Sequence, residues 1–184
     1  MQGPHRRSVT LVLGGVRSGK SRFALEIASK ASSVTFVATA CASDDEMRVK
    51  IERHRSERPA HWRTREEPVK LAEVITETDA GDELVLVDCL TLFAANLMDA
   101  HGQDRLALLA ATEDLISALS NAKCRVVLVS NEVGSGIVPA YAAGRQFRDV
   151  LGELNQRVAA VADEVILMIA GLPLPIKGSI EGLR

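Results

Sequence analysis

The chain has 184 residues, of which 47% are hydrophobic and 25% are charged, and its formal net charge is −2. This length and balance predict one globular domain over residues 1–184 and exclude an intrinsically disordered chain. The low net charge argues against nucleic acid as a partner, because nucleic-acid-binding surfaces carry clustered lysine and arginine side chains.

The cysteines argue against a disulfide-rich or zinc-binding protein, and the apolar runs argue against a membrane-spanning one. Cys41, Cys89 and Cys124 are an odd number without CxxC spacing, so they indicate neither a disulfide framework nor a zinc site. The longest apolar stretch, residues 165–176, contains one glycine and two prolines and is shorter than the roughly 20 residues of a membrane-spanning helix. The sequence therefore predicts a cytoplasmic protein without a membrane span.

Apolar and helical segments alternate along the chain. Runs rich in Val, Ile and Leu predict strands that are buried on both faces, at residues 8–13, 34–38, 84–87, 126–130 and 165–169. Helical spacing or capping patterns predict helices at residues 20–29, 44–55, 106–122 and around 147–161. This alternation predicts an α/β fold whose mostly parallel central sheet is flanked by helices.

Two segments lack clear periodicity. Residues 131–144 contain three glycines and Pro139, which predicts a long loop after a strand. The tail, residues 172–184, contains two prolines and two glycines, and we expect it to be poorly packed.

A glycine-rich motif joins the first predicted strand to the first predicted helix. It matches G-x-x-x-x-G-K-[ST] and consists of Gly14, Gly15, Val16, Arg17, Ser18, Gly19, Lys20 and Ser21. The glycines let backbone amides approach phosphate oxygens, and the following helix adds the partial positive charge of its N-terminus. Lys20 is placed to reach the β and γ phosphates, and Ser21 to ligate Mg²⁺. A glycine turn without a ligand would not need this lysine and serine, so the motif predicts binding of ATP or GTP.

An acidic residue follows another buried strand. Asp88 comes directly after the apolar run at residues 84–87, where P-loop proteins place a second magnesium ligand. The alternative interpretation is an aspartate that caps the turn after the strand. Together with the glycine-rich loop, this arrangement predicts a P-loop NTPase of the RecA-like type.

Further motifs give the chain a specific resemblance. They are, in order, GGxRSGKSR at 14–22, AT at 38–39, DDEM at 44–47, RPAHW at 58–62, NEVG at 131–134 and GIVP at 136–139. This series resembles the adenosylcobinamide kinase / adenosylcobinamide-phosphate guanylyltransferase family. The likeness extends through RxFRD at 145–149, NQR at 155–157 and ADEV at 162–165, and it covers residues 9 to about 177.

The resemblance implies a bifunctional enzyme of cobalamin biosynthesis. Such an enzyme phosphorylates adenosylcobinamide with ATP or GTP and then transfers GMP from GTP to adenosylcobinamide phosphate, which gives adenosylcobinamide-GDP. The family likeness also suggests a homotrimer. Two rival functions remain open, namely a P-loop kinase of another small molecule without guanylyl transfer and a non-catalytic nucleotide-binding regulatory module.

One histidine is the candidate for covalent catalysis. Family members pass through a guanylylated histidine, which corresponds here to His54. Neutral imidazole can attack an α-phosphorus at physiological pH and split the transfer into two easier steps. From the residues alone, His54 shares a helical stripe with Met47 and Ile51, which favours a half-buried packing histidine, and the family resemblance reverses that preference.

The resemblance also implies a set of residues that bind the guanine nucleotide. These are Ala38, Thr39, Ala40, Arg55, Ser56, Glu57, Arg58, Glu66 and Asp88. The arginines among them fit a solvated basic helix face equally well. His61, Trp62 and Glu132 stay without an assigned role: Trp62 could simply pack, and Glu132 could sense the γ-phosphate or order the long loop.

Overall fold

The computed structural model describes residues 7–40, 59–78, 83–102 and 104–181. Within these ranges seven strands form one sheet. They are β1 Val9–Gly14, β2 Ser33–Ala38, β3 Arg63–Glu66, β4 Glu83–Asp88, β5 Arg125–Val129, β6 Glu164–Ile169 and β7 Leu172–Lys177. The strand order is β3-β2-β4-β5-β1-β6-β7, and every neighbouring pair is parallel except the antiparallel pair β6 and β7.

Helices cover both faces of this sheet. The described helices are α1 Lys20–Ala28, α2 Leu71–Glu77, α3 Leu90–His101, α4 Arg105–Ser120 and α5 Ala142–Val161. Buried residues of α2 to α5 pack with Leu11 on one face, whereas α1 packs with Val12 on the other. Because successive side chains of a strand point to opposite faces, the unbroken apolar runs fill both cores.

This architecture confirms the predicted fold class. The five predicted strands correspond to β1, β2, β4, β5 and β6, and the helices predicted at 20–29, 106–122 and 147–161 correspond to α1, α4 and α5. The helix predicted at 44–55 lies outside the described residues. None of the described helices has the length and apolar character needed to cross a membrane.

The tail departs from its prediction. Residues 172–177 form β7, which pairs with β6 from Ile169 to Val165. The segment is thus ordered as a strand, so the expectation of poor packing is wrong for its backbone, whereas it holds for the side chains, because five of the six residues are exposed. Pro173 and Pro175 lack an amide hydrogen, but β7 is the last strand of the described sheet, and prolines are tolerated on such edge strands.

Candidate nucleotide-binding site

The predicted phosphate loop lies between the carboxyl end of β1 and the N-terminus of α1. Its backbone has φ of 152° at Gly14, 57° at Arg17 and 97° at Gly19. A Cβ added to Gly14 would lie 2.6 Å from both the Met168 carbonyl oxygen and Ser18 Oγ. The turn thus requires glycine at this position, because a side chain would collide with backbone and with the loop itself.

Lys20 is folded back over this loop. Only 8% of the residue is exposed, and its Nζ donates a hydrogen bond of 2.6 Å to the Gly15 carbonyl oxygen. Burial lowers the pKa of the Lys20 ammonium, while Cys89 and Asp88 act in the opposite direction. Burial also raises the pKa of the Cys89 thiol, and the neighbouring Asp88 acts in the same direction.

Asp88 reaches the same edge of the sheet from β4. One strand, β5, separates β4 from β1, and Asp88 lies in register with Val129 of β5 and with Ala38 of β2. Ala38 is in turn paired with Glu66 at the end of β3. The parallel sheet therefore brings Ala38, Asp88 and Glu66 to the carboxyl edge that also carries the phosphate loop, where α/β proteins bind their ligands.

Thr39 joins two of these strand ends. It is fully buried, and its Oγ1 donates to the Cys89 carbonyl oxygen at 2.8 Å and accepts the Cys89 amide hydrogen at 2.7 Å. Asn96 of α3 donates to the carbonyl oxygens of Thr39 and Pro68 at 2.8 and 3.1 Å. The hydroxyl of Thr39 is thus engaged within the protein, where it holds β2 against β4. Whether Thr39 also contacts a nucleotide stays a prediction.

Replacing Thr39 by valine is expected to lower the free energy of unfolding by about 2 kcal/mol. The substitution keeps the shape but leaves a buried amide and a buried carbonyl without their partner. Urea unfolding can be followed through the fluorescence of Trp62, the one tryptophan of the chain, which is buried. Thr39→Ser keeps the hydroxyl and serves as the control, and equal stability of the valine and serine variants would contradict the prediction.

A second network anchors the loop that follows β5. Asn155 of α5 accepts a hydrogen bond from Ser130 Oγ at 2.6 Å and donates to the Asn131 carbonyl oxygen at 3.0 Å. The next amide, that of Glu132, donates to the Gly14 carbonyl oxygen at 3.0 Å. The loop is therefore bonded directly to the first residue of the phosphate loop.

A third element supports the phosphate loop from the other side. The turn between β6 and β7 has positive φ at Ala170 and Gly171, and the Gly171 amide donates to the Ser18 carbonyl oxygen at 3.0 Å. The Ser18 hydroxyl is buried and has no hydrogen-bond partner within the described parts of the chain. Neighbours on both sides of β1 thus hold the loop in this conformation.

Sequence reasoning did not assign these supporting roles. Asn96 and Asn155 both bond backbone groups next to the site, and Thr91 Oγ1 accepts the Asn131 amide hydrogen at 2.9 Å. A usable signal existed for Asn155, because it lies four residues after Leu151 and three before Val158, on the apolar stripe of the predicted helix. No comparable signal marked Asn96 or Thr91.

The remaining candidates divide into two groups. Trp62 is buried against the core that contains α1, in agreement with the packing interpretation, while His61 is exposed. Five candidates lie outside the described residues, so the structure gives them no position: His54, Arg55, Ser56, Glu57 and Arg58.

The side-chain oxygens of Ser21 and Asp88 suit a magnesium ion that also binds a phosphate. Ser21 lies in the first turn of α1, and Asp88 is near enough to Lys20 to affect its pKa. Among the described residues no group of three or more His, Cys, Asp and Glu side chains forms a metal cage. Mg²⁺ is usually held by one or two protein oxygens together with substrate phosphates and water, which these residues fit.

Solved structures with the same fold have little sequence similarity to the chain. An ATPase from the type III secretion system of pathogenic bacteria superposes with a TM-score of 0.60 at 11% identity, and the match covers 96% of this chain and 58% of that one. The ATP synthase subunit NeqB from Nanoarcheaum equitans gives a TM-score of 0.54 at 14% identity, over 87% of this chain and 46% of that one. At such identities these structures support the fold alone.

Two curated relatives have a much higher sequence identity to this chain than the solved structures do. The bifunctional adenosylcobalamin biosynthesis protein CobP from Pseudomonas aeruginosa is 45% identical over 170 residues, which cover 91% of this chain and 96% of that protein. The bifunctional adenosylcobalamin biosynthesis protein CobU from Salmonella typhimurium is 44% identical over 178 residues, with coverage of 91% and 98%. The model of the family described as cobinamide kinase / cobinamide phosphate guanyltransferase matches residues 10–176. This chain therefore belongs to the cobinamide kinase / cobinamide phosphate guanyltransferase family.

Proposed function

We propose that this protein phosphorylates adenosylcobinamide with ATP or GTP and then converts adenosylcobinamide phosphate and GTP into adenosylcobinamide-GDP. The observation that carries the proposal is a complete phosphate loop, with a buried Lys20 folded over it, in a chain 45% identical to a bifunctional relative. Both reactions need a bound nucleoside triphosphate, and the carboxyl edge of the sheet offers one site for it.

The kinase step is mainly a matter of position and charge. The acceptor hydroxyl attacks the γ-phosphorus, the bond to the β,γ-bridging oxygen breaks, and the nucleoside diphosphate leaves. Backbone amides of residues 14–21 and the Lys20 ammonium face the phosphates in this proposal. Because Lys20 is buried, its charge acts in a low-dielectric environment, where charge developing on the phosphoryl oxygens is stabilised more strongly than in water.

A magnesium ion would be held by the Ser21 hydroxyl and the Asp88 carboxylate. When bound, such an ion neutralises phosphate charge and polarises the phosphoryl oxygens. The protein's own contribution is to fix the Ser21 oxygen in the first turn of α1, which follows β1, and the Asp88 oxygens at the end of β4, while β5 holds the two strands in register.

The guanylyl transfer is proposed to proceed through His54. A nitrogen of its imidazole attacks the α-phosphorus of GTP and releases pyrophosphate. A phosphate oxygen of adenosylcobinamide phosphate then attacks the same phosphorus and displaces the imidazole. Ala38, Glu66 and Asp88 lie at the edge where the guanine nucleotide is proposed to bind, which supports one shared nucleotide site.

Separate assays with the two acceptors test this function. The protein is incubated with Mg²⁺ and GTP or ATP plus either adenosylcobinamide or adenosylcobinamide phosphate, and the corrinoid products are identified by mass spectrometry. We expect the monophosphate from the first acceptor and adenosylcobinamide-GDP from the second. Phosphorylation without guanylyl transfer would favour the kinase alternative, and nucleotide binding without any corrinoid product would favour a regulatory module.

Replacing Asp88 by asparagine is expected to raise the Mg²⁺ concentration for half-maximal activity by about tenfold or more, because a carboxylate binds this hard cation far better than a neutral amide oxygen. Nucleotide affinity measured without Mg²⁺ should not fall. Asp99→Asn, which alters an exposed carboxylate on α3, is the control. An unchanged Mg²⁺ dependence in Asp88→Asn would remove Asp88 from the metal site.

Two properties of the whole protein complete the proposal. On the family likeness, we expect a homotrimer and a cytoplasmic location, where nucleoside triphosphates are abundant. Light scattering coupled to size-exclusion chromatography measures the oligomeric state directly, and a monomeric enzyme with full activity would reject the trimer.

A further inference from the structure

Three exposed apolar side chains lie within five consecutive residues of the loop after β5. Ile137 is 96% exposed, Val138 63% and Tyr141 69%. We call these three residues the apolar tip. Large apolar side chains that are clustered and left in water commonly mark a binding surface, whereas single ones need no explanation.

Hydrogen bonds hold this loop beside the phosphate loop. The Glu132 amide donates to the Gly14 carbonyl oxygen at 3.0 Å, which ties the start of the loop to the nucleotide site. Arg145 of α5 donates to the carbonyl oxygens of Pro139 and Ala140 at 3.1 and 2.7 Å, and Arg148 donates to that of Gly134 at 2.9 Å. The apolar tip is thus presented on a bonded scaffold.

The Tyr141 ring also lies against the backbone of α5. A Cβ added to Gly144 of α5 would lie 2.7 Å from Tyr141 Cε2 and 2.8 Å from Pro139 Cβ. The ring therefore packs closely over Gly144, and only the absence of a side chain there makes this position available. A pre-positioned aromatic side chain loses little conformational entropy when it binds a ligand.

We propose that the apolar tip binds the corrin macrocycle of the acceptor in both reactions, an inference that rests on the proposed function. The acceptor hydroxyl must reach the γ-phosphate, so the bulk of the corrinoid has to lie outside the phosphate loop and against neighbouring loops. The loop leaves β5 next to β1, on the same edge as the nucleotide. The corrin ring carries methyl groups and methylene stems between its amide side chains, and these apolar parts suit Ile137, Val138 and Tyr141.

A double variant, Ile137→Ser with Tyr141→Ser, removes most of this surface without touching the core. We expect the acceptor KM, and the Kd for adenosylcobinamide measured by equilibrium dialysis, to rise about a hundredfold, since each of the two side chains contributes about tenfold in affinity when it is buried. The Kd for nucleotide should stay within twofold. Ile176→Ser, which alters a 60% exposed side chain near the opposite edge of the sheet, is the matched control.

A second variant displaces the Tyr141 ring and keeps all three side chains. Gly144→Ala introduces a Cβ where the Tyr141 ring and Pro139 Cβ lie, so both must shift, and since alanine favours a helix we expect folding to be retained. We expect a severalfold rise in acceptor KM and Kd. Gly152→Ala makes the same change on the same helix, at a position with open space, and should leave both constants unchanged.

Each alternative outcome has a defined meaning. If the wild-type enzyme converts corrinoids and both variants do so with unchanged KM and Kd, the inference is wrong and the proposed function stands. If the double variant changes the oligomeric state and leaves the acceptor KM unchanged, a second copy of the chain covers the apolar tip, and the inference is again wrong. If the wild-type protein neither binds nor converts a corrinoid, the proposed function and the inference are both rejected.

Discussion

Lys20→Ala is expected to lower kcat/KM by roughly 10²- to 10³-fold in the kinase reaction, a loss of the size seen when one preorganised charge or donor is removed from an active site. The same variant should also weaken nucleotide binding in the guanylyl transfer. In the structure the ammonium is buried and donates to the Gly15 carbonyl oxygen, so it is already held over the loop. Arriving phosphate oxygens would offset the desolvation that lowers its pKa.

Steady-state kinetics with both acceptors and direct measurement of nucleotide Kd test this prediction. Lys123→Ala, which removes an exposed lysine just before β5 at the opposite edge of the sheet, controls for the loss of one positive charge. Lys20→Met retains most of the buried stem and separates charge from packing. If Lys20→Ala kept both its nucleotide affinity and its turnover, the phosphate loop would not be the nucleotide site, and the proposed function would fail with it.

The phosphate loop could be predicted because its determinants are local. The glycine positions, Lys20 and Ser21 lie within eight consecutive residues, and the backbone angles they need are properties of the residue types themselves. The same holds for the buried strands, whose Val-rich runs indicate burial on both faces. The order of the strands depends on packing between distant segments, and no local pattern encodes it.

The strands β3 and β7 were not predicted, because they form through pairing with other strands and carry no clear local pattern. The four residues of β3, Arg63–Glu66, are polar and largely exposed, so no apolar pattern marks a strand there. β3 forms because its backbone pairs with β2, a tertiary interaction that overrides propensity. In β7 the prolines point to irregular structure in isolation, but an edge strand pairs on one side only and accommodates them.

The residues that support the site could not be predicted either, because their partners are distant in the sequence. Thr39 bonds Cys89, which is 50 residues away, and Asn96 bonds Thr39 across 57 residues. Such partners become neighbours only when the strand order is known. The sequence could therefore place Asp88 at the carboxyl edge of the sheet. It could not show that Thr39 holds the end of β4, which carries Asp88, against β2.

Replacing His54 by asparagine is expected to abolish covalent guanylylation and to lower guanylyl transfer by roughly 10³-fold or more, because a residue that forms the covalent intermediate has no substitute in the two-step route. Phosphorylation of adenosylcobinamide should be retained within a few fold, since direct transfer to a hydroxyl needs no such intermediate. The measurement is incubation with Mg²⁺ and α-labelled GTP, followed by denaturation and a test for protein-bound label that is labile to acid and stable to base.

The remaining histidines make this experiment decisive. The chain has four, and the other three are His5, His61 and His101. His61→Asn, the same change seven residues further along at an exposed position, should keep both the adduct and the activity. If label persists in His54→Asn and peptide mass spectrometry maps it to another histidine, that histidine is the nucleophile and His54 is not. A wild-type enzyme that forms adenosylcobinamide-GDP without any adduct would instead require direct attack of the acceptor phosphate on GTP, with His54 left as a packing residue.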